Sequence, residues 1–321
     1  MSKHLIVTGA AGFIGANLCK KLIALGYSVL GIDNLSYGIK SRLNSIKDLA
    51  NFTFIEADAA DISKIVFGAA DGLIHLASEK IPRYSSGWET LENNQKVSDA
   101  VLAYCIEHRC KLYFASTSDV YGKNREVPFT ELSDCVLGSS EIKRWAYAGS
   151  KLHTELKITA AHREYELPFH IMRFFGCYGP GMSEGWRSGP QQSFFEKAIK
   201  TEPPEIHGDG TQTRTYIFID DLIEAVARLI ENEQVDSGVW NICANPAEEI
   251  SVMELARKIW SMVNPTKAFE HVKIPYAQFG SYEDVQRRVG SPAKANVLLN
   301  WEAKVSLQEG LLLTYQSIRD K

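Results

Sequence analysis

The stretch Lys3-His4-Leu5-Ile6-Val7-Thr8-Gly9-Ala10-Ala11-Gly12-Phe13-Ile14-Gly15 runs from an apolar strand through a glycine-punctuated turn into a helix. That order dictates the fold around it. Gly9 permits the tight turn, Gly12 lets the main chain approach a pyrophosphate, and Gly15 lets the helix pack closely on the strand. The helix, predicted over Ala16–Leu25 and closed by Gly26, points free N–H groups and a partial positive charge at phosphate oxygens. A second strand, Ser28–Ile32, delivers Asp33 18 residues after Gly15, near the spacing at which a carboxylate meets an adenosine ribose. A carboxylate there repels a 2′-phosphate, so the expected cofactor is NAD, not NADP.

Outward from this turn, strands and helices alternate. Strands are predicted at Phe52–Ile55, Gly72–His75, Lys111–Ser116 and Pro168–Phe174, with a helical piece near Asp61–Phe67 and long helices over Glu89–Arg109 and Lys143–Tyr165. Such a rhythm implies a doubly wound parallel sheet, with ligands beyond the carboxyl ends of the strands. After Phe175 the pattern becomes glycine-rich and irregular, then resumes with helices at Gln191–Lys200, Leu222–Glu231, Val252–Met262 and Leu307–Ser317. We therefore expect a Rossmann-type domain over residues 1–178, with a later crossover near 220–243, and a smaller α/β substrate-binding domain over 179–321.

Charge and composition exclude several functions. A net charge of −4 over 321 residues supplies no field for nucleic acid or an anionic membrane. No apolar run approaches the ~20 residues of a membrane span, and no signal-peptide layout precedes the first strand. The six cysteines are scattered without a Cys-x-x-Cys pair, and the eight histidines show no His-x-x-x-His pair. We expect no metal, reduced thiols and a cytoplasmic location.

Chemistry is concentrated in two segments. In Tyr147-Ala148-Gly149-Ser150-Lys151 a spacing of four places the phenol and the ammonium on one helical face. An adjacent ammonium stabilises the phenolate, which makes Tyr147 a usable base. The strand end Phe114-Ala115-Ser116-Thr117-Ser118-Asp119-Val120-Tyr121-Gly122 projects hydroxyls and a carboxylate, and Thr117 can bond the oxygen that Tyr147 deprotonates.

Together these residues resemble the extended short-chain dehydrogenase/reductases, and within them the nucleotide-sugar epimerase/dehydratase branch. The resemblance also covers Asp33-Asn34-Leu35-Ser36, His75-Leu76-Ala77, Arg173-Phe174-Phe175, Tyr178-Gly179-Pro180, the run His207–Arg214, Asp220-Asp221 and Asn241. It implies that Gly9, Gly12, Phe13, Ile14 and Gly15 hold the NAD pyrophosphate. Asp33 would meet the adenosine ribose, with Asn34 also among the cofactor-binding residues, Asp58 the adenine, and Leu76, Ala77, Lys80 and Asn94 the middle of the cofactor and its nicotinamide ribose. Thr117, Tyr147 and Lys151 would form the catalytic group. Arg214, with Arg287 or Arg288, would clamp the diphosphate of a nucleotide sugar, expected to be a UDP-sugar.

Three departures bear on the outcome. Thr117-Ser118-Asp119 carries an Asp where dehydratases and decarboxylases of this type carry Glu, and Ser118 stands where several dehydratases place an acid. Gly176-Cys177 replaces the usual Asn and small apolar residue before Tyr-Gly-Pro. The insert Met182–Arg187 adds Trp186, able to stack on a base or sugar, and Arg187, able to meet a phosphate or uronate carboxylate, unless both lie on a loop without contact. The reading placed first is a 4-epimerase working through a 4-keto intermediate. The alternative is a 4,6-dehydratase or uronate decarboxylase using Asp119, and a non-catalytic NAD-binding scaffold is the more remote one. A homodimer is expected through the helices at 89–109 and 143–165. Val97, Val101, Leu102 and Cys105 form one stripe, which faces either a partner or the sheet.

Overall fold

The computed structural model describes residues 3–65, 70–80, 86–187 and 189–319, excluding the side chain of Arg187. The leading strands are β1 (His4–Thr8), β2 (Ser28–Asp33), β3 (Phe52–Glu56), β4 (Gly72–His75), β5 (Lys111–Thr117) and β6 (Phe169–Phe174). Between them run α1 (Phe13–Ala24), α2 (Ile62–Ile65), α3 (Gly87–Glu107) and α4 (Trp145–Tyr165). The chain continues through β7 (Gly176–Tyr178), α5 (Pro190–Ile199), β8 (Glu205–His207), β9 (Thr213–Arg214), β10 (Tyr216–Phe218), α6 (Ile219–Glu231) and β11 (Gly238–Ile242). It ends with β12 (Ile250–Ser251), α7 (Val252–Val263), β13 (Val272–Ile274), β14 (Arg287–Arg288), α8 (Ala293–Leu298) and α9 (Leu307–Arg319).

Seven strands form the main sheet in the order β11-β6-β5-β4-β1-β2-β3. The β1–β2, β1–β4, β2–β3 and β4–β5 ladders are parallel. Parallel strands covered on both faces need continuous apolar runs, and Leu5–Val7, Leu73-Ile74 and Leu112–Phe114 are all buried. The strand order reverses between β1 and β4, so the glycine turn after β1 lies at the switch point where such sheets bind ligands. Of the helix predicted near Asp61–Phe67, Ile62–Ile65 is present and Val66-Phe67 lie outside the described residues.

The chain divides into two compact units that cross the boundary expected near residue 178. The first comprises Met1–Val120, Ala146–Arg173 and Ile223–Trp240; the second comprises Tyr121–Trp145, Phe174–Leu222 and Asn241–Lys321. The excursion after β5 accounts for the difference. Residues 121–145 bridge forward into the later chain, with Phe129 paired to Gly290 and the Asn241 side chain bonded to Phe129 O and Tyr121 Oη.

The stripe on α3 faces its own sheet. Val101, Leu102 and Cys105 belong to the core that includes Ile6, Leu112, Phe114 and Ile171, and Val97 packs against it. It is therefore unavailable to a second chain. The outward side of the long helices instead exposes Leu91 on α3 and Leu156 on α4.

Candidate active site

In the first unit the glycine turn is as tight as its sequence requires. Gly9 has φ of +74°, and a Cβ added there would stand 2.8 Å from the Ala77 amide nitrogen. A Cβ on Gly15 would lie 2.0 Å from the Gly9 carbonyl oxygen. Gly12 is the N-cap of α1 and offers no side chain to the first turn, so the N–H groups of Phe13, Ile14 and Gly15 remain for an anion. Asp33, at the end of β2, accepts hydrogen bonds from Ala11 N (3.0 Å) and Leu35 N (2.8 Å). Burial raises the Asp33 carboxyl above its usual range, opposed by those two N–H groups and by Arg42. This backbone cradle with a carboxylate beside it fits a dinucleotide with a free ribose 2′-hydroxyl.

Three expected cofactor residues are engaged in local structure. Asn34 is exposed, and its side chain accepts from Ser36 N at 3.1 Å. Asp58 caps a short 3₁₀ turn by accepting from Ala60 N at 2.9 Å. The buried Asn94 uses its whole amide: it accepts from Ser78 Oγ and Glu79 N and donates to Glu79 O and Ser150 Oγ. Asn94 thereby fastens residues 78–79 to α3 and α4. Leu76 and Ala77 follow β4, with Ala77 N bonded to Thr8 Oγ1 at 3.4 Å, and Lys80 is exposed just beyond them.

The residues expected to be reactive lie at the end of β5 and in the first turns of α4. Thr117 is buried at the last position of β5, and its Oγ1 accepts from Asp119 N at 3.2 Å. Asp119 is half-buried one turn further on. Tyr147 and Lys151 are buried one turn apart on α4. The Lys151 ammonium donates to Ala115 O at 2.8 Å and lies 4.6 Å above the Phe114 ring. Burial pushes its pKa down to about 7, and the Glu155 carboxylate opposes that shift. His75, buried between Thr8 and Ser98, is pushed down to about 3 by burial and by Lys151, which keeps it neutral.

The second unit holds the arginines. Arg214 is buried on β9 and donates to Asp284 Oδ1 at 3.0 Å and to Thr213 O at 2.7 Å. The parallel pairing of β14 with β9 sets Arg288 opposite Arg214 and Arg287 opposite Thr213. Side chains alternate along a strand, so Arg288 shares the Arg214 side and Arg287 turns away. Arg287 accordingly forks onto Glu249, with Nε–Oε1 at 2.8 Å and Nη2–Oε2 at 2.6 Å. Trp186 stacks on His207 with ring centroids 3.9 Å apart and meets the Phe194 edge at 5.6 Å. The side chain of Arg187 lies outside the description.

Sequence reasoning missed Arg144. It is buried, and it donates to Asp284 at 3.0 Å and to Tyr282 Oη. Its one signal was its place in the basic pair Lys143-Arg144, three positions before Tyr147. Asp284, which accepts from both Arg144 and Arg214, carried no motif at all.

Residues 5–243 match the family described as NAD dependent epimerase/dehydratase. The chain belongs to that family. It is an NAD-dependent enzyme, built on the family's Rossmann-type parallel sheet. Similar curated proteins include a UDP-N-acetyl-alpha-D-glucosaminuronate decarboxylase of Bacillus cytotoxicus, 28% identical over 324 residues and covering 100% of this chain and 99% of the relative. The UDP-glucuronic acid decarboxylase 2 of Arabidopsis thaliana is 30% identical over 322 residues, covering 99% of this chain and 68% of the relative. Among solved structures, a UDP-glucose 4-epimerase from Thermotoga maritima with UDP-glucose is 30% identical, with a TM-score of 0.86 and 99% of each chain covered. A UDP-glucuronic acid 4-epimerase variant from Bacillus cereus, in complex with NAD and a fluorinated UDP-glucuronic acid, is 27% identical with a TM-score of 0.85 over 99% of each chain. No helix among the described residues is long and apolar enough to cross a membrane, and no group of three His, Cys, Asp or Glu side chains there could hold a metal ion.

Proposed function

We propose that this enzyme oxidises C4 of a UDP-linked uronic acid and lets the resulting 4-keto sugar lose its C6 carboxylate. The observation that carries the oxidation is the buried Lys151, tied to Ala115 O one helical turn from Tyr147, with Thr117 closing the neighbouring strand. NAD, when bound by the glycine turn and Asp33, supplies the redox chemistry at the sugar carbon. Tyr147 takes the C4 hydroxyl proton, Lys151 stabilises the phenolate and Thr117 donates to the sugar oxygen. Asn94 serves this site by positioning the 78–79 backbone.

A ketone at C4 makes the C6 carboxylate that of a β-keto acid. The C5–C6 bond then breaks, carbon dioxide leaves, the electron pair is held as the C4 enolate, and C5 takes a proton; return of the hydride to C4 and of a proton to its oxygen would restore the hydroxyl, so that the net change is loss of carbon dioxide. Asp119 is the proton donor in this reading. Arg214 and Arg288 hold the diphosphate through charge-assisted bonds. Arg144 adds a second buried guanidinium on the Asp284 carboxylate that Arg214 also meets. The uronate decarboxylases among the full-length relatives support that choice.

A second reading, 4-epimerisation through the same keto intermediate, is favoured by the 30% identical epimerase neighbour. The enzyme works as a cytoplasmic homodimer in either case. Incubation with UDP-glucuronate, UDP-N-acetylglucosaminuronate, UDP-glucose and UDP-N-acetylglucosamine separates the readings by product mass. Loss of carbon dioxide from a uronate is expected, abolished by Tyr147→Phe. An unchanged mass with inverted C4 assigns epimerisation, loss of water assigns dehydration, and no turnover of any sugar rejects both proposed readings.

A further inference from the structure

Beneath Lys151 lies a buried charge cluster that the reaction itself does not use. Glu155 follows Lys151 by one turn of α4, on the same helical face, and is 4% exposed. Arg173 on β6, equally buried, forks onto it, with Nη2–Oε2 at 2.7 Å and Nε at 3.2 and 3.3 Å from the two carboxylate oxygens. The Ser116 hydroxyl donates to the same carboxylate. Ser116 stands between Ala115, whose carbonyl accepts the Lys151 ammonium, and Thr117. Glu155 thus ties the end of β5, the middle of α4 and β6 to one another around the amine.

We propose that Glu155 is a positioning residue for Lys151: clamped by Arg173 and Ser116, its carboxylate keeps the buried amine protonated while Ala115 fixes its place. The physical need is clear. The direct partners of the ammonium are a neutral carbonyl and an aromatic face, and neither cancels the cost of burying a full charge. Among the described residues, the charged and titratable groups acting on it are Glu155 on α4, His75 on β4 and, through Glu155, Arg173 on β6, with Tyr147 one turn before it on α4. His75 is neutral, so Glu155 is the negative charge acting on the amine. Arg173 holds that carboxylate in place and partly offsets its field.

The two partners therefore carry opposite signs. Glu155→Gln removes the negative charge and leaves Arg173 repelling the amine, so Lys151 loses its proton at lower pH. Arg173→Gln leaves Glu155 unopposed, so Lys151 keeps its proton to higher pH. A purely structural clamp would move neither midpoint, or would move both the same way.

The test is an NMR pH titration of protein carrying 13Cε-labelled lysine, with the Lys151 signal assigned by its absence in Lys151→Arg. The midpoint is expected to fall by about one pH unit in Glu155→Gln and to rise by a similar amount in Arg173→Gln. Removing one partner of a buried pair costs several kcal/mol, whereas replacing both with apolar residues is well tolerated. The double variant Glu155→Leu/Arg173→Met covers the case of a single variant that fails to fold, and its midpoint is expected below wild type. Unchanged midpoints, or shifts of the same sign in both single variants, overturn the proposal. The link to turnover rests on the role proposed above for Lys151, and the alkaline limb of kcat is expected to follow the titration. NMR shifts without a matching move of that limb would leave Glu155 as the positioning residue and reject the catalytic role of Lys151.

Discussion

Arg287 and Arg288 are neighbours in sequence with opposite surroundings. The carboxylate of Glu249 forks onto Arg287, which is 53% exposed, whereas Arg288 lies level with Arg214 on the adjacent strand. In the binding mode proposed above, truncating Arg288 removes a charge-assisted donor from a polyanionic substrate. Arg288→Ala is therefore expected to raise KM roughly 10- to 100-fold, the equivalent of about 1.5–3 kcal/mol. Arg287→Ala loses only an exposed ion pair, of about 0–1 kcal/mol, and should leave KM within about threefold. Steady-state kinetics on the active UDP-sugar checks both, and equal effects at the two positions would contradict the register argument. From sequence the two arginines were equivalent, because strand register is a property of pairing and nothing in Gln286-Arg287-Arg288 announces which side faces Arg214.

At the scale of elements, α1 and the turn before it stand or fall on contact between backbones. A Cβ on Gly15 would meet the Gly9 carbonyl at 2.0 Å, a distance that no rotamer change relieves. Gly15→Ala must push α1 away from β1 and misdirect the first-turn N–H groups. The expected result is a stability loss of about 1–3 kcal/mol in denaturant melts, and NAD affinity reduced at least tenfold by calorimetry. An alanine variant that binds NAD like wild type would remove the turn from the cofactor site. Here the sequence was fully legible, since glycine spacing reports local sterics. The α3 stripe was legible only in part. Val97, Val101, Leu102 and Cys105 declared a buried face, but the packing of α3 on Leu112 and Phe114 determined what buries it.

For the whole molecule, the helix faces left over by that packing bear on assembly. Leu91 is 44% exposed on α3 and Leu156 62% exposed on α4, away from the core stripe. A homodimer seated on these faces is expected to dissociate in Leu156→Glu, with light scattering of dilute protein reporting half the wild-type mass and circular dichroism unchanged. A wild-type protein that is monomeric at micromolar concentration excludes this assembly. The division into units belongs to the same scale. A boundary near residue 178 with a crossover near 220–243 did not include the return of 121–145 to the later chain, because pairs such as Phe129 with Gly290 join positions that no local pattern links.

Periodicity and glycine spacing alone specified the parallel sheet, the cofactor turn and the Tyr147–Lys151 pair, since each depends on residues within a few turns of one another. Folding alone decided that Arg144 and Arg214 share Asp284, that Arg288 lies on their side rather than Arg287, and that Glu155, one turn from Lys151, is held by Arg173. Those relations arise where distant strands and loops converge, and the energy of a buried charge depends on neighbours that the linear chain does not place beside it.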